Sequence, residues 1–238
     1  MNSLDINLRS LFSDLQIHTV VFDPAVDFGA NIADIFGWNR TVWSHLFGNS
    51  LYEQGLHILP TLIHPKSRGS VTLSGPSIHD PPIIDVNFLD HPDDIRTVVE
   101  GMKFIQDLEK TDAFKKYGLH MIQEDFLCGN YEPFSDAYFE CFARELVFTC
   151  YHPVGTCAMG LNSNVSVVDH RLQVHGTGRL RVIDASIMPL IVGANTNAAS
   201  VMIGEKGASM ILEDFIKSNS NRDKTKKSEK TKKPHEEL

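Results

Sequence analysis

The sequence predicts an α+β protein in which an antiparallel sheet is flanked by helices. Short segments with alternating apolar residues, typical of half-buried strands, come first in the chain, and segments with helical periodicity follow them. With 238 residues, of which 42% are hydrophobic and 22% charged, the chain has the composition of a globular protein and enough length to bury a core. These values exclude a wholly disordered chain and a fibrous protein.

The predicted strands lie in the first part of the chain. They are residues 13–22, 55–63 and 70–74. A turn at Pro65–Gly69 separates the last two, so residues 55–74 are expected to form a hairpin-like unit. Residues 81–85 are expected to be extended, because prolines bias their neighbours away from the helical conformation. Residues 23–53 are expected to form a long excursion with short helical pieces.

Two helices are predicted in the middle of the chain. The first opens at His91-Pro-Asp-Asp-Ile95, where a proline and two acids suit the first turn, and an apolar stripe follows. Ser135 is the predicted N-cap of the second. Nearer the end of the chain, residues 179–184 are predicted to form a strand, and a last helix is predicted from Asn195 to about Phe215.

The net charge of −8 is unevenly distributed. Residues 217–238 hold 8 of the 22 Lys and Arg residues and 4 of the 30 Asp and Glu residues, so this segment carries +4 and the rest of the chain −12. An acidic body disfavours nucleic-acid binding, which needs a basic surface. The basic segment has almost no apolar residue, and we expect a disordered tail. No apolar run reaches the roughly 18 residues of a membrane span, and no signal peptide is expected from the first residues.

Four cysteines are present, and none lies in a CxxC pair or a zinc-finger spacing, so no metal site is expected. Cys128 and Cys141 form either a disulfide or two buried thiols, and the sequence does not decide between them. Two N-glycosylation sequons, Asn39-Arg-Thr and Asn164-Val-Ser, weakly favour a secretory route.

Two segments towards the end of the chain contain the candidate catalytic and binding residues. They are Tyr151-His-Pro-Val-Gly-Thr-Cys-Ala-Met-Gly160 and Leu180-Arg-Val-Ile-Asp-Ala-Ser-Ile-Met-Pro-Leu-Ile-Val-Gly-Ala-Asn-Thr-Asn-Ala198. Taken alone, His152 is typical of a buried histidine with satisfied hydrogen bonds. Asn195 alone is typical of a helix N-cap, and Asp184 of an acid in a turn.

Together the two segments resemble the C-terminal signature of the GMC (glucose-methanol-choline) flavoprotein oxidoreductases. The resemblance is closest to the arthropod glucose-dehydrogenase-like branch of that family and extends from Asp14 to Ile216. Three further strings are similar to strings of that branch: Leu62-Ile-His-Pro-Lys-Ser-Arg-Gly69, Asp80-Pro-Pro-Ile-Ile-Asp85 and Phe114-Lys-Lys-Tyr-Gly118.

The resemblance implies an FAD-dependent oxidoreductase that acts on the CH–OH group of a small alcohol or sugar and passes hydride to flavin N5. It leaves quinone or oxygen open as the electron acceptor. His152 is then the proton acceptor, since an imidazole with an ordinary pKa of about 6.5 suits that role near neutral pH. Asn195 holds the substrate oxygen, because its amide both donates and accepts. The residues implied for FAD binding are Asp184, Ala185, Thr196 and Asn197.

The same resemblance implies a division of the chain. Residues 1–150 are expected to be part of a substrate-binding domain, residues 151–216 a catalytic segment that returns to the FAD-binding domain, and residues 217–238 the tail. No Gly-x-Gly-x-x-Gly unit opens a helix here, so we expect the C-terminal portion of a flavoenzyme, without the N-terminal half of the FAD domain. The alternative is a non-enzymatic remnant that acts as a binding module. A secretory or extracellular location is expected from the resemblance alone.

Overall fold

The structure, a computed structural model, describes residues 13–21, 32–48, 55–123 and 125–230. It divides the chain into two compact units, Met1–His152 and Pro153–Leu238. The sequence predicted a division between residues 150 and 151, two residues before this boundary. Each unit has its own apolar core.

The described part of unit 1 contains two small antiparallel sheets. Strand β1 (Leu15–Val21) pairs with β2 (Leu56–Leu62), and β3 (Ser70–Thr72) pairs with β4 (Ile83–Asp85). The antiparallel pairing and the positions of the strands confirm the prediction, but the hairpin-like unit over residues 55–74 is wrong. The segment between β2 and β3 does not reverse the chain into a hairpin, because its backbone N–H groups bind a carboxylate elsewhere in the unit, as described below.

The described part of unit 1 also contains five α-helices. They are α1 (Ile32–Phe36), α2 (Arg40–Phe47), α3 (Pro92–Leu108), α4 (Asp112–Tyr117) and α5 (Asp136–Leu146). The short helices expected between residues 23 and 53 are α1 and α2, and residues 23–31 and 49–53 of that excursion lie outside the described residues. The predicted N-cap is confirmed, since Ser135 Oγ accepts a hydrogen bond from Tyr138 N at 3.2 Å. Helix α4 was not predicted, although Thr111 caps its start and Gly118, with φ of 64°, ends it.

The core of unit 1 lies between α3 and α5. Its buried residues are Leu89, Ile95, Val98, Val99, Cys128, Tyr138, Phe139 and Ala143. Cys128 is fully buried and forms a disulfide with Cys141 of α5, while Cys150 and Cys157 are free thiols. Of the two alternatives, the structure therefore shows the disulfide, which links the turn around Cys128 to α5.

Unit 2 contains a 3-10 helix, Ala185–Ile187, and a long helix, α6, Asn197–Lys230. The predicted strand over residues 179–184 is wrong, because only Arg181 of that segment makes a β-bridge, to Gln173. Arg179 has a φ of 63°, a left-handed conformation that interrupts an extended chain. The last helix begins two residues after the predicted start at Asn195, with its first helical residue at Asn197.

The end of unit 2 also differs from the prediction. We expected a disordered tail from residue 217, whereas α6 continues through Lys230, and residues 231–238 lie outside the described part. Neither glycine nor proline occurs between Gly207 and Pro234, so nothing in the sequence breaks the helix there. Lysine and glutamate are good helix formers, which favours continuation without an apolar face.

A buried carboxylate, Asp94 in the first turn of α3, fixes the segment between β2 and β3. The residue is 2% exposed. It accepts hydrogen bonds from Lys66 N at 2.9 Å, from Ser67 N at 2.7 Å and from Ser67 Oγ at 2.6 Å. Burial by itself would raise the pKa of Asp94, but these hydrogen bonds outweigh burial and lower that pKa below its ordinary value. The arrangement is a clamp that joins the segment after β2 to α3.

Replacing Asp94 by Asn should lower the free energy of unfolding by about 1–3 kcal/mol, because an amide group turns N–H donors toward the buried donors of Lys66 and Ser67. The neighbouring Asp93→Asn variant is the matched control. Asp93 makes ion pairs with Lys66 and Arg96 at the surface, where solvent screens them. The free energy of unfolding should therefore fall much less in Asp93→Asn than in Asp94→Asn. Urea denaturation near neutral pH measures the free energy of unfolding of each variant. An equal decrease in the two variants would contradict the clamp.

The clamp should also weaken in acid. A carboxyl whose pKa is lower in the folded than in the unfolded state contributes its full stability above the unfolded pKa, about 3.9 for Asp. That contribution is lost as the pH falls through the lower, folded pKa of Asp94. The difference in unfolding free energy between the native protein and Asp94→Asn should therefore shrink over this acid range. A difference that stays constant down to about pH 2 would show that Asp94 does not titrate as described.

Candidate functional site

The segment that ends in His152 rests on the aromatic residues around α1 and α2. Phe148 packs on Phe36 with ring centroids 4.4 Å apart and meets Trp38 edge-on at 5.8 Å. Trp38 Nε1 donates a hydrogen bond to the carbonyl of Leu146, the last residue of α5, at 3.3 Å. The excursion between β1 and β2 therefore positions the chain just before His152.

Tyr151 directly precedes the predicted proton acceptor, His152, and hydrogen bonds fix its position. Its φ is 62°, a left-handed conformation uncommon for a residue with a side chain. Its N–H donates to Thr149 Oγ1 at 2.9 Å, and its hydroxyl donates to the carbonyl of Ile35 in α1. His152 itself is half-buried. Backbone strain held by specific hydrogen bonds is typical of functional positions, and nothing in the sequence marked Tyr151 for this role.

In unit 2, the chain after Pro153 binds the 3-10 helix. Cys157 N donates to the carbonyl of Ser186 at 3.0 Å, and Met159 N donates to the carbonyl of Ile187 at 2.8 Å. Gly155 has a φ of 92°, a conformation that residues with a side chain rarely adopt. The backbone conformation at this position therefore favours the glycine of the His-Pro-Val-Gly string.

The two residues predicted to face the ribityl phosphate of FAD lie at the start of the 3-10 helix. Asp184 is exposed and acts as the N-cap, with Oδ1 accepting a hydrogen bond from Ser186 N at 2.8 Å. Ala185 is partly buried and packs on the core of unit 2. The turn-acid interpretation of Asp184 is thus correct for its local contacts.

The predicted residues at the start of α6 differ in exposure. Asn195 and Asn197 are exposed, whereas Thr196 is 7% exposed. The carbonyl of Thr196 accepts hydrogen bonds from Ser200 N and from Ser200 Oγ, both at 2.9 Å, so Thr196 rather than Asn195 occupies the cap position. The first turn of α6 contains no acidic residue. Its N–H groups therefore form a partly positive end that no acidic side chain of the same turn offsets.

Helix α6 is held in place by the core of unit 2. The buried members of that core are Val168, Leu172, Ile187, Met188, Ile203 and Met210. At Gly207 the helix approaches this core so closely that an added Cβ atom would overlap the side chain of Ile183. Ala185 of the 3-10 helix and Ala199 of α6 pack on this same core, so the two elements that carry the predicted flavin residues of unit 2 share one apolar support.

Ion pairs that the sequence analysis missed fix the middle of α6. Arg171 Nη2 lies 3.0 Å from Asp214 Oδ1 and 3.2 Å from Glu213 Oε2, and it also donates to the carbonyl of Met210 at 3.2 Å. Arg181, whose side chain is 12% exposed, pairs with the other oxygen of Asp214. A carboxylate shared by two arginines fixes the rotation of α6 relative to the loop that carries them. No local sequence pattern predicts ion pairs between residues so far apart along the chain.

Across the part of the chain that the structure describes, no group of three or more His, Cys, Asp or Glu side chains is arranged to hold a metal ion. Nor is any helix in the described ranges both long and apolar enough to cross a lipid bilayer.

Comparison with known proteins gives a family and several relatives. Residues 65–204 match the family model described as GMC oxidoreductase. The chain is 41% identical over 161 residues to a glucose dehydrogenase [FAD, quinone] of Drosophila pseudoobscura pseudoobscura, with 67% of this chain and 26% of that protein covered. It is 40% identical over 161 residues to an alcohol dehydrogenase [acceptor] of Pseudomonas putida, with 68% and 28% covered.

A solved structure is also similar. A formate oxidase of Aspergillus oryzae, studied for FAD modification, superposes with a TM-score of 0.59 at 32% identity over 68% of this chain and 27% of that one. The chain therefore spans about a quarter of the length of the curated relatives that it matches.

The packing of α6 against Ile183 at Gly207 can be tested directly. Gly207→Ala should lower the unfolding free energy of unit 2 by about 1–3 kcal/mol, because the new methyl group overlaps Ile183. Gly204→Ala, three residues earlier in the same helix, meets open space and should leave stability unchanged or raise it by up to about 1 kcal/mol. Thermal and urea denaturation compare the two. If Gly207→Ala were as stable as Gly204→Ala, the packing described here would be wrong.

Proposed function

The chain belongs to the GMC oxidoreductase family, and from this we propose that it is the catalytic C-terminal part of an FAD-dependent oxidoreductase. The proposed substrates are small alcohols or sugars, oxidised at a CH–OH group. The observation that carries the proposal is the family match over residues 65–204, which includes His152 and Asn195. The relatives described above are named for glucose and for an alcohol, which supports this substrate class.

The residues at the start of α6 fit the cofactor. The isoalloxazine ring of FAD has a polar edge that becomes more negative on reduction, and such a group is stabilised at a helix N-terminus. The first turn of α6 presents its N–H groups without an acidic side chain, and Asn197 is exposed there. We assign Thr196 and Asn197 to this edge. Exposed Asp184 and partly buried Ala185, at the start of the 3-10 helix, are assigned to the ribityl phosphate portion.

Oxidation of an alcohol requires the loss of a proton from oxygen and of a hydride from carbon. FAD, when bound, supplies the acceptor of the hydride. His152 takes the hydroxyl proton on an imidazole nitrogen as the general base. The strained and hydrogen-bonded Tyr151 just before it supports this role, since a base must be held in a fixed orientation to act efficiently.

Asn195 has a different task in the proposal. Its amide can donate a hydrogen bond to the substrate oxygen, and its exposure leaves it able to meet a ligand. An amide does not accept a proton near neutral pH, so Asn195 orients the substrate and His152 remains the base. The buried Thr196 next to it fixes the backbone at the start of α6.

The role of His152 is tested in flavin-loaded enzyme that contains this chain. His152→Ala should slow the reduction of the flavin by the alcohol about 10²–10⁴-fold, the usual contribution of a positioned base. Stopped-flow absorbance, normalised to bound flavin, measures this rate. The control is His170→Ala, which removes an exposed histidine of unit 2 and should leave the rate unchanged. An unchanged rate in the His152 variant would remove this residue from the chemistry and favour a purely structural role.

The role of Asn195 predicts a graded series in the same assay. Asn195→Ala should slow flavin reduction by less than His152→Ala, because a hydrogen bond and an orientation are lost rather than the proton acceptor. Asn195→His should be faster than Asn195→Ala, since an imidazole restores a donor at that position. If the Ala and His variants were equally slow, Asn195 would not act through a hydrogen bond to the substrate.

A further inference from the structure

The two N-glycosylation sequons lie in different surroundings. Asn39 is the N-cap of α2, and its Oδ1 accepts a hydrogen bond from Thr41 N, the threonine of its own sequon, at 2.8 Å. The sequon Asn39-Arg-Thr is therefore built into a helix start, next to the aromatic residues that support unit 1. Asn164-Val-Ser lies on a turn of unit 2, between β-bridged residues on either side.

The turn around Asn164 is organised by its neighbour Asn162. Val165 N donates to the carbonyl of Asn162 at 3.1 Å, and Asn164 N donates to Asn162 Oδ1 at 3.0 Å. Ser166 Oγ donates to the same carbonyl at 2.7 Å and lies 3.2 Å from His175 Nε2. Within the described residues, none of these bonds uses the side chain of Asn164, which is exposed. A group attached to that amide would therefore break none of the hydrogen bonds just described.

The tip of this turn exposes apolar surface. Val165 is 78% exposed and Leu161 is 89% exposed. A bulky hydrophilic group on the neighbouring amide would cover such side chains and raise solubility. The disulfide between Cys128 and Cys141 is a second, independent observation, because disulfides persist in the oxidising compartments of the secretory route, where N-glycans are added.

We propose that Asn164 carries an N-linked glycan. In the modification, the amide Nδ2 of Asn164 forms a bond to the anomeric carbon of an oligosaccharide carried on a lipid diphosphate. The bond from that carbon to the diphosphate oxygen breaks, Nδ2 loses one proton, and the lipid diphosphate leaves. Asn164 Oδ1 is unchanged, and the hydrogen bonds around Asn162 persist.

The experiment is expression of the protein behind a cleavable signal peptide in insect or human cells, so that it enters the secretory route, followed by treatment with peptide N-glycosidase. The enzyme should increase the gel mobility of the protein, and mass spectrometry of its peptides should show position 164 converted to aspartate. Asn164→Gln and Ser166→Ala should each abolish the shift. Ser166→Thr keeps a sequon hydroxyl and should retain the shift, and Asn39→Gln should also retain it.

Three results would overturn the proposal: no mobility shift in the native protein, a shift that persists in Asn164→Gln, or a glycan mapped to Asn39 with the Asn164 peptide unmodified. Glycopeptide mapping reads each site directly and does not depend on the stability of the variants.

Discussion

The close packing of α6 on the loop of residues 154–188 is the constraint on which the candidate site depends. Gly207 lets the helix approach Ile183 directly, and Asp214 binds two arginines of the loop, so both the distance and the rotation of α6 are fixed. The same core holds Ala185 of the 3-10 helix. Since exposed Asn195 and Asn197 stand at the start of this helix, their positions follow from packing about three to five turns further along it.

Unit 1 supports His152 by different means. Aromatic packing from the α1–α2 region and a hydrogen bond from Trp38 hold the chain that leaves α5, and the left-handed Tyr151 turns it at the last step. Deeper in the unit, the Asp94 clamp and the disulfide join the connecting segments to α3 and α5. Within each unit, exposed or half-buried polar residues thus lie next to a buried apolar core.

Much of this could be predicted from the sequence, but not all of it. Ser135 and the apolar stripe of α3 predicted their helices because capping and periodicity are local signals. The pairing of β2 with β1 rather than β3 was not predictable in the same way, because the segment after β2 is bound by Asp94, 28 residues beyond Lys66. The same holds for Arg171 and Asp214, which lie 43 residues apart. The predicted strand at residues 179–184 failed because Arg179 adopts a left-handed conformation that residue type does not announce. The roles of His152 and Asn195 came from motif resemblance, since a single histidine or asparagine carries no such signal.

The central proposal, which comes from the motif resemblance, is that His152 and Asn195 act on the same substrate oxygen in the assembled flavoenzyme. The most direct test is a crystal structure of flavin-loaded protein with a non-oxidisable alcohol analogue bound. The account predicts an imidazole nitrogen of His152 and the amide of Asn195 each within about 2.6–3.2 Å of the analogue's oxygen. An analogue oxygen bound by other residues, with His152 turned away from it, would contradict the account.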